Sequence, residues 1–366
     1  MTGSGALQRV AHGLHAIERW WFRPSSRYQM GVFRVLLVSW VGWFYSERLF
    51  PRLSGARERA IEFHDPPSLA QWLRLPLPLP EHAIEPVRQL AMLLVALALV
   101  GLLARVALIA LAFLNLGLGL AVNAWGYTAH ASALPALVLF IVAFAPGATA
   151  LSLDALLIKL VAQRKGRPPP GWAPELLPHS PKSVWPVRTL LVLLCLLYFS
   201  AGVSKLRYAG GDWADGQTLA FYLGGGSKRG EGTQRFIQQR GDRPDQAFRD
   251  GFGIVDYAYV GRPTAIGSWL SQQPVLLRLI ASAALLGELL FPLALLGRWP
   301  RRLALLFGLL FHAGIALTLS INFTAYIICY TMFVDWCGLV RRLRTRPTAK
   351  PQSPLALGSA GSTPRV

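Results

Sequence analysis

The sequence predicts an all-α integral membrane protein, a polytopic helical bundle of about eight spans. Of its 366 residues 53% are apolar, and the mean hydropathy is +0.39. Charged residues make up 15%, against about 25% in ordinary soluble domains. The apolar residues form long runs without a polar face, for example residues 90–103. Lipid solvates every side of such a run, and a helix satisfies its own backbone hydrogen bonds there.

Eight apolar runs are about as long as the 20 or so residues that a helix needs to cross the hydrocarbon core. The second and third runs are joined only by Ala104 and Arg105, which predicts a helical hairpin. The last two runs are separated at residues 320–322. The predicted spans are 30–50, 87–103, 106–122, 131–151, 184–204, 274–296, 303–321 and 323–340.

Lysine and arginine lie mainly beside the apolar runs, and this placement predicts the orientation of the chain. A net charge of +19 would suit a nucleic-acid partner, but basic residues that flank apolar runs are typical of membrane topology signals. The predicted inner segments hold 20 of the 37 basic residues. We therefore predict a lipid bilayer as partner, no nucleic acid, and both termini in the cytoplasm. The inner segments are 1–29, 104–105, 159–188, 297–302 and 341–366.

Composition also predicts the domain organisation. Residues 1–29 form a cytoplasmic N-terminal segment, residues 30–340 the membrane domain, and residues 341–366 a disordered cytoplasmic tail. A proline-rich linker at 163–183 divides the membrane domain into two halves of four spans. The outer loop at 206–273 is long, and its residues 224–264 are polar and glycine-rich, which predicts a mobile segment.

Five ionisable side chains fall within or at the ends of the predicted spans: Arg34, His130, Lys205, Glu288 and His312. A charge at mid-bilayer costs at least about 2.5–3.5 kcal/mol on insertion scales, so such residues are functional candidates. Each also has a structural interpretation. Arg34 is either a snorkelling residue near the inner face or a structural ion-pair partner. Glu288 and His312 are either functional residues or buried partners that hold helices together. His130 is either functional or an interfacial polar residue, and Lys205 is either functional or marks the end of a span.

Lys205 and His130 come from different halves of the chain, and the predicted orientation places both at outer helix ends. A lysine that faces a low-dielectric cavity can act as a neutral base, and a nearby histidine can relay a proton. The two residues therefore predict a proton-handling pocket near the outer leaflet. Trp213, in a glycine-bounded turn after Lys205, is either an interfacial belt residue or part of the pocket. No histidines are paired at metal-ligand spacing, so we predict no metal.

Several motifs resemble a known family. The stretch YFSAGVSKL at 198–206, followed by WADG at 213–216, closely resembles the membrane domain of vitamin K-dependent γ-glutamyl carboxylase. It also resembles the bacterial relatives of that enzyme, the horizontally transferred transmembrane (HTTM) domain proteins. The resemblance covers roughly residues 25–340. Further matching features are Arg34 in the first span, His130 shortly before LPAL, SLD at 152–154, Glu288 four residues before Pro292, and the pair Phe311 and His312.

The resemblance implies a function as well as a fold. In the carboxylase, a lysine at the position of Lys205 is implicated as the base that acts on a reduced quinone, and a histidine matching His130 lies near the intermediate. The quinone reacts with oxygen to give a strong base, which removes the γ-proton of a glutamate that then captures carbon dioxide. The resemblance thus implies a reduced quinone cofactor, of vitamin K or menaquinol type, with Lys205 and His130 as catalytic residues.

The substrate stays open, because this chain departs from the carboxylase in three respects. Ala129 precedes His130 where a polar residue would be expected. Ser204 stands where the carboxylase has a second basic residue, and the large C-terminal domain of the carboxylase has no counterpart in these residues. Bacterial relatives of similar size include the sporulation-delaying protein B group, which assists the maturation of an exported toxin peptide. The resemblance therefore implies a bacterial cytoplasmic membrane and an exported peptide or protein as partner.

Three classes of function are compatible with the sequence. The first is a membrane enzyme that acts on a quinone or an exported peptide, either carboxylase/lyase-like or a quinone-linked oxidoreductase. The second is a non-enzymatic membrane factor that binds an exported partner through the loop at 206–273. The third is a transporter built from two four-span halves, although the halves lack the repeat symmetry that transporters usually show. The motifs favour the enzyme.

Overall fold

The fold within the described residues is helical, apart from one antiparallel pair of two-residue strands, β1 (Pro24–Ser25) and β2 (Lys182–Ser183). The computed structural model describes residues 12, 15–25, 28–55, 66–124, 130–169, 173, 182–224, 264–321 and 323–344. The helices are α1 (Gln29–Phe44), α2 (Phe50–Gly55), α3 (Ser68–Trp72), α4 (Glu81–Val100), α5 (Ala104–Asn123), α6 (His130–Phe144), α7 (Leu153–Arg164), α8 (Trp185–Ala209), α9 (Gln217–Leu223), α10 (Ala265–Ser271), α11 (Pro274–Leu290), α12 (Arg298–Leu319), α13 (Thr324–Tyr330) and α14 (Trp336–Arg344).

Among the described residues, five helical segments are long and apolar enough to cross a membrane. Large apolar side chains such as Phe113, Val275 and Leu310 are more than half exposed on these segments, as lipid contact requires. The structure thus supports the predicted class of membrane-spanning helical protein. The five segments are Glu81–Val100, Ala104–Asn123, Trp185–Asp215, Pro274–Leu295 and Arg298–Leu319.

The first predicted span, 30–50, is part of a longer helical stretch in the structure, whereas the fourth, 131–151, is a shorter helix. Helix α1 continues through the π-helical turn Tyr45–Leu49 into α2, so residues 29–55 form one helical stretch. Helix α6 has 15 residues and is therefore about 22 Å long, shorter than a hydrocarbon core of about 30 Å. Pro146 follows its end, and a proline stops a helix because it lacks an N–H donor and restricts the residue before it.

The last predicted span, 323–340, is two short helices rather than one. Helix α12 ends at Leu319, and α13 begins at Thr324 and passes into the 3₁₀ turn Thr331–Phe333. Asp335 then caps a new helix, α14, because its carboxylate accepts a hydrogen bond from the backbone N–H of Gly338 (3.0 Å). Apolar composition alone does not reveal such a cap.

The turn between α4 and α5 lies at residues 101–103 rather than at the predicted 104–105. Gly101 ends α4 in the left-handed conformation (φ 74°). Asp154 then caps α5, since its two carboxylate oxygens accept hydrogen bonds from the backbone N–H groups of Leu103 and Ala104 (2.9 Å each). The hairpin itself is present, and its turn is fixed by a side chain that is distant in sequence.

Helix α8 extends to Ala209, five residues beyond the predicted end of the span. Lys205 therefore lies inside the helix and not at its end, which corrects the prediction. The predicted outer loop begins with the last turn of α8, a 3₁₀ turn at Gly210–Asp215 and α9, and it ends with α10. The segment predicted to be mobile, 224–264, lies outside the described residues except at its two ends.

Two groups of helices position the site. Helices α1, α4, α5 and α6 pack together, and α13 lies against α1 and α6. Helix α8 packs against α6 on one side and against α11 and the 3₁₀ turn Phe291–Leu295 on the other. Helix α12 packs against that turn and against α13. The facing surfaces of α8, α11, α12 and α13 carry most of the polar side chains considered next.

Candidate functional site

Lys205 and Glu288 form an ion pair between α8 and α11. The Lys205 ammonium donates to both Glu288 carboxylate oxygens, and both N–O distances are 2.7 Å. The side chain of Glu288 is 4% exposed and that of Lys205 is 19% exposed. The two helices approach closely at Gly202, where a Cβ atom would lie 3.2 Å from the Cβ of Glu288. Gly202 therefore lets Lys205, one turn further along α8, reach the carboxylate.

Trp213 covers the ion pair. It lies in the 3₁₀ turn after α8, and the Lys205 nitrogen is 5.1 Å from the centre of its ring. This is within the range of a cation–π interaction. The indole N–H of Trp213 is buried and has no hydrogen-bond partner in the part of the chain that the structure describes. Of the two interpretations of Trp213, the structure places it in the pocket.

A second polar group joins Tyr198, His312 and Tyr330. The hydroxyl of Tyr198 is hydrogen-bonded to Nε2 of His312 (2.8 Å) and to the hydroxyl of Tyr330. Gly308 makes room for this contact, because a Cβ atom there would collide with both tyrosine hydroxyls. Nδ1 of His312 is buried without a partner among the described residues. The three side chains thus form a hydrogen-bonded chain across α8, α12 and α13.

Aromatic rings surround this chain. The ring of Tyr198 is stacked on Phe291, with centroids 4.0 Å apart. The imidazole of His312 lies 4.8 Å from the ring of Phe323 and 4.6 Å from that of Tyr326. These rings fix the orientation of the two hydrogen-bonding groups and separate them from water.

One cavity of about 760 Å³ contacts both groups. Tyr198 and Lys205 are seven residues apart, so they share a face of α8 two turns apart, about 10 Å along the helix axis. Glu288, His312 and Trp213 also line the cavity. Most of the remaining lining is apolar and includes Leu197, Leu219, Leu270, Ile280, Ile315 and Leu319. The cavity therefore offers an apolar volume with polar groups at a few fixed points.

Arg34 lies away from this cavity. It is fully buried, and its guanidinium donates to the backbone carbonyls of Ala148 (2.8 Å), Ala150 (3.1 Å) and Leu151 (2.9 Å). Asp154 interacts with it electrostatically, but among the described residues no carboxylate is within ion-pairing distance. Arg34 is thus neither a snorkelling residue nor half of a direct ion pair. It holds the chain between α6 and α7 against α1.

The predicted pairing of Lys205 with His130 is not decided by the structure. His130 begins α6, and its side chain lies outside what the structure describes. The residue that contacts Lys205 is Glu288, which sequence reasoning treated separately. Tyr330 was not a candidate at all. Its signal in the sequence is the i, i+4 spacing of Tyr326 and Tyr330 within an apolar run, which puts two hydroxyls on one helical face.

Fold and site together define a helical membrane protein with an ion pair and a tyrosine–histidine chain on the wall of one apolar cavity. Comparison of the chain with protein-family models, with curated proteins and with solved structures gave no match in any of the three. The resemblance to the HTTM family therefore stays a prediction from the motifs.

Proposed function

We propose that this protein is a membrane-embedded, quinone-linked enzyme of the HTTM and γ-glutamyl carboxylase-like class. In this proposal the cavity binds the ring of a reduced quinone, and Lys205 removes a proton from it. The observation that carries the proposal is the doubly hydrogen-bonded Lys205–Glu288 pair on the wall of an apolar cavity. A buried charged pair costs free energy to desolvate, so its position beside an empty volume calls for a functional explanation.

The residues of the cavity suit a reduced quinone. Its volume of about 760 Å³ is within the usual range of about 300–1,000 Å³ for small-molecule sites. An aromatic ring with an apolar tail would be buried among leucine, isoleucine and phenylalanine side chains. Its hydroxyl groups would be near the Lys205–Glu288 pair, and Trp213 and His312 also lie on the cavity wall.

The ion pair supplies a route for the proton. Glu288 takes the ammonium proton of Lys205 and leaves a neutral amine next to the cavity. That amine then accepts a proton from a hydroxyl group in the cavity, so the pair gains one proton and one positive charge, which balances the negative charge left on the hydroxyl oxygen. A bound reduced quinone would supply the electrons for a reaction with oxygen. Trp213 above the ammonium keeps water away from the transfer.

The finer features of the prediction belong to the same proposal. They are eight spans, both termini in the cytoplasm, a bacterial cytoplasmic membrane and an exported peptide or protein as substrate. The distribution of basic residues supports the orientation, and the uninterrupted helical stretch at 29–55 supports a first span. In this orientation the C-terminal end of α8, and with it Lys205, lies toward the outer leaflet. A peptide substrate would then meet the site on the outer side of the membrane.

The test uses purified full-length protein in lipid nanodiscs and a short-chain reduced naphthoquinone. Oxygen-dependent oxidation is followed by absorbance. We expect Lys205→Met to lower the rate by at least about 100-fold, because a general base usually contributes that much. Lys205→Arg should fail as well, since a guanidinium stays protonated and cannot accept the proton. Lys159→Met, on the exposed face of α7, is the matched control and should leave the rate unchanged.

The Arg variant separates a base from a structural cation. Full activity of Lys205→Arg at equal expression would show that Lys205 is not the base. If the wild type binds the reduced quinone but does not oxidise it, the result would favour the non-enzymatic membrane factor. Binding is followed by quenching of tryptophan fluorescence, with Trp213→Phe to identify the quenched residue.

A further inference from the structure

Arg188 lies at the opposite end of α8 from Lys205 and is a buried cation. It is 7% exposed, and its Nε atom is buried with no hydrogen-bond partner in the ranges that the structure describes. No described carboxylate is within ion-pairing distance of it. The ring of Trp20 covers one face of the guanidinium at 4.4 Å. A ring satisfies the face of a guanidinium but not the N–H groups at its edge, which require acceptors.

Two further arginines surround Arg188 and make its environment more positive. Arg301, in the first turn of α12, and Arg23 both interact with it electrostatically, and they also interact with each other. The position of Arg23 is fixed by backbone contacts, because Val184 N–H donates to the carbonyl of Arg23 (2.8 Å) next to the β1–β2 pair. The fold thus places three like charges within electrostatic range of one another.

The backbone adds to this positive potential. Helix α8 begins at Trp185, and its N-cap residue, Val184, makes no side-chain capping bond. The N-terminal end of a long helix carries a partial positive charge and is suited to bind an anion. Arg188 lies in the first turn of this helix. Side chains, backbone and an unpartnered buried donor therefore all point to an anion at one place.

We propose that Arg23, Arg188 and Arg301 bind a phosphate group, and that this phosphate is the headgroup of an anionic phospholipid. Arginine has the planar fork of donors that matches phosphate oxygens. Exposed apolar side chains lie close in sequence on either side of Arg301, since Leu296 is 78% and Leu303 is 66% exposed, so acyl chains would be in contact with the start of α12 while the headgroup meets the arginines. This site is at the far end of α8 from the cavity and is independent of the function proposed above.

The experiment measures binding of phosphatidylglycerol to delipidated full-length protein in detergent. The same measurement is made with phosphatidylcholine and, separately, with inorganic phosphate. We expect phosphatidylglycerol to bind at least about fivefold more tightly than phosphatidylcholine, because each basic residue near a surface contributes roughly that factor with anionic lipid. Inorganic phosphate at equal concentration should have little effect, since it lacks acyl chains.

Two variants and a matched control localise the site. Arg188→Gln and Arg301→Gln should each weaken phosphatidylglycerol binding about fivefold. Arg302→Gln removes the same charge one residue further along α12, where the guanidinium lies 5.0 Å from the ring of Trp299, and should change binding less than twofold. Arg301 is only half-buried, so Arg301→Gln tests phosphatidylglycerol binding at the site even if Arg188→Gln does not fold.

The outcomes are distinct. Equal losses of phosphatidylglycerol binding in the Arg301 and Arg302 variants would indicate a diffuse attraction of basic residues to anionic lipid and would overturn the proposed site. Binding of inorganic phosphate as tight as that of phosphatidylglycerol would assign the site to a soluble phosphate and overturn the lipid assignment. Failure of the quinone assay would leave this result untouched, because none of the three arginines lines the cavity.

Discussion

Two buried cations, Arg34 and Lys205, lie in apolar helices of this protein, and their surroundings differ. Arg34 donates to three backbone carbonyls and has no exposed surface. Lys205 donates to a carboxylate, is partly exposed, and lines a cavity. A carbonyl cannot take a proton from its donor under ordinary conditions, whereas a carboxylate can. The first arrangement is therefore suited to hold helix ends together, and the second to move a proton.

The environment of Arg34 is closed by further contacts. Asp154 caps α5 through Leu103 and Ala104, and Ser152 caps α7 by accepting from the N–H of Ala155 (3.1 Å). Four helices therefore meet at one compact end of the bundle. Arg34 does not line the cavity that contains Lys205 and Glu288, and it donates only to backbone carbonyls, which is why we assign it to structure.

The largest expected effect is the loss of stability in Arg34→Met. This change should lower the free energy of unfolding by at least about 3 kcal/mol, because three carbonyls, two of them buried and one part-buried, lose their donor at about 1 kcal/mol or more each. Arg34→Lys should recover only part of the loss, since a compact ammonium cannot replace the planar fork. The measurement is unfolding in mixed detergent micelles by titration with sodium dodecyl sulfate. A variant as stable as the wild type would remove the structural role.

The ion pair should respond differently, because its two charges can be removed together. Lys205→Met and Glu288→Leu should each cost about 2 kcal/mol, below the range for fully buried pairs since Lys205 is partly exposed. The double variant should be more stable than the sum of the two losses predicts, by at least about 1 kcal/mol, because no unpaired charge remains. Quinone oxidation should be absent from all three variants.

A stable double variant without activity would show that the pair is kept for its chemistry. Additive losses would contradict that view, since they would mean that each side chain stabilises the fold separately. The same unfolding assay serves for both cations, so the comparison between them is direct.

The sequence predicted the helical class and the special positions, but not the partners. Long apolar runs identify helices because lipid and the backbone impose that composition. The ends of the helices were predicted less well, since caps such as Asp154 and Asp335 act through contacts that hydropathy does not contain. Helix α8 continues beyond its apolar run because Lys205 is paired with Glu288 and so does not end the helix. Hydropathy does not contain this contact either.

Partners are hard to predict because they depend on which helix faces are in contact. Lys205 and Glu288 are 83 residues apart, and no periodicity in either helix indicates the other. Arg34 is harder still, since its acceptors are backbone carbonyls that every residue possesses. The shared face of Tyr198 and Lys205 could have been predicted from their seven-residue spacing. The hydrogen bond to His312 could not.

The smallest expected effect tests how densely the region around Arg34 is packed. Gly101 and Gly166 both have a left-handed backbone (φ 74° and 58°), so alanine is strained at either position. At Gly166 a Cβ atom meets nothing within 4 Å, whereas at Gly101 it would lie 2.8 Å from the Cα of Ser152 and 3.1 Å from Arg34.

Gly166→Ala should cost about 1 kcal/mol from backbone strain alone. Gly101→Ala should cost about 1–2 kcal/mol more, because overpacking a dense region adds a steric penalty. Both variants are measured in the unfolding assay used for Arg34→Met, and the difference between them isolates the packing contribution. Equal losses would mean that the chain around Ser152 can move away at little cost, and the end of the bundle that holds Arg34 would then not be densely packed.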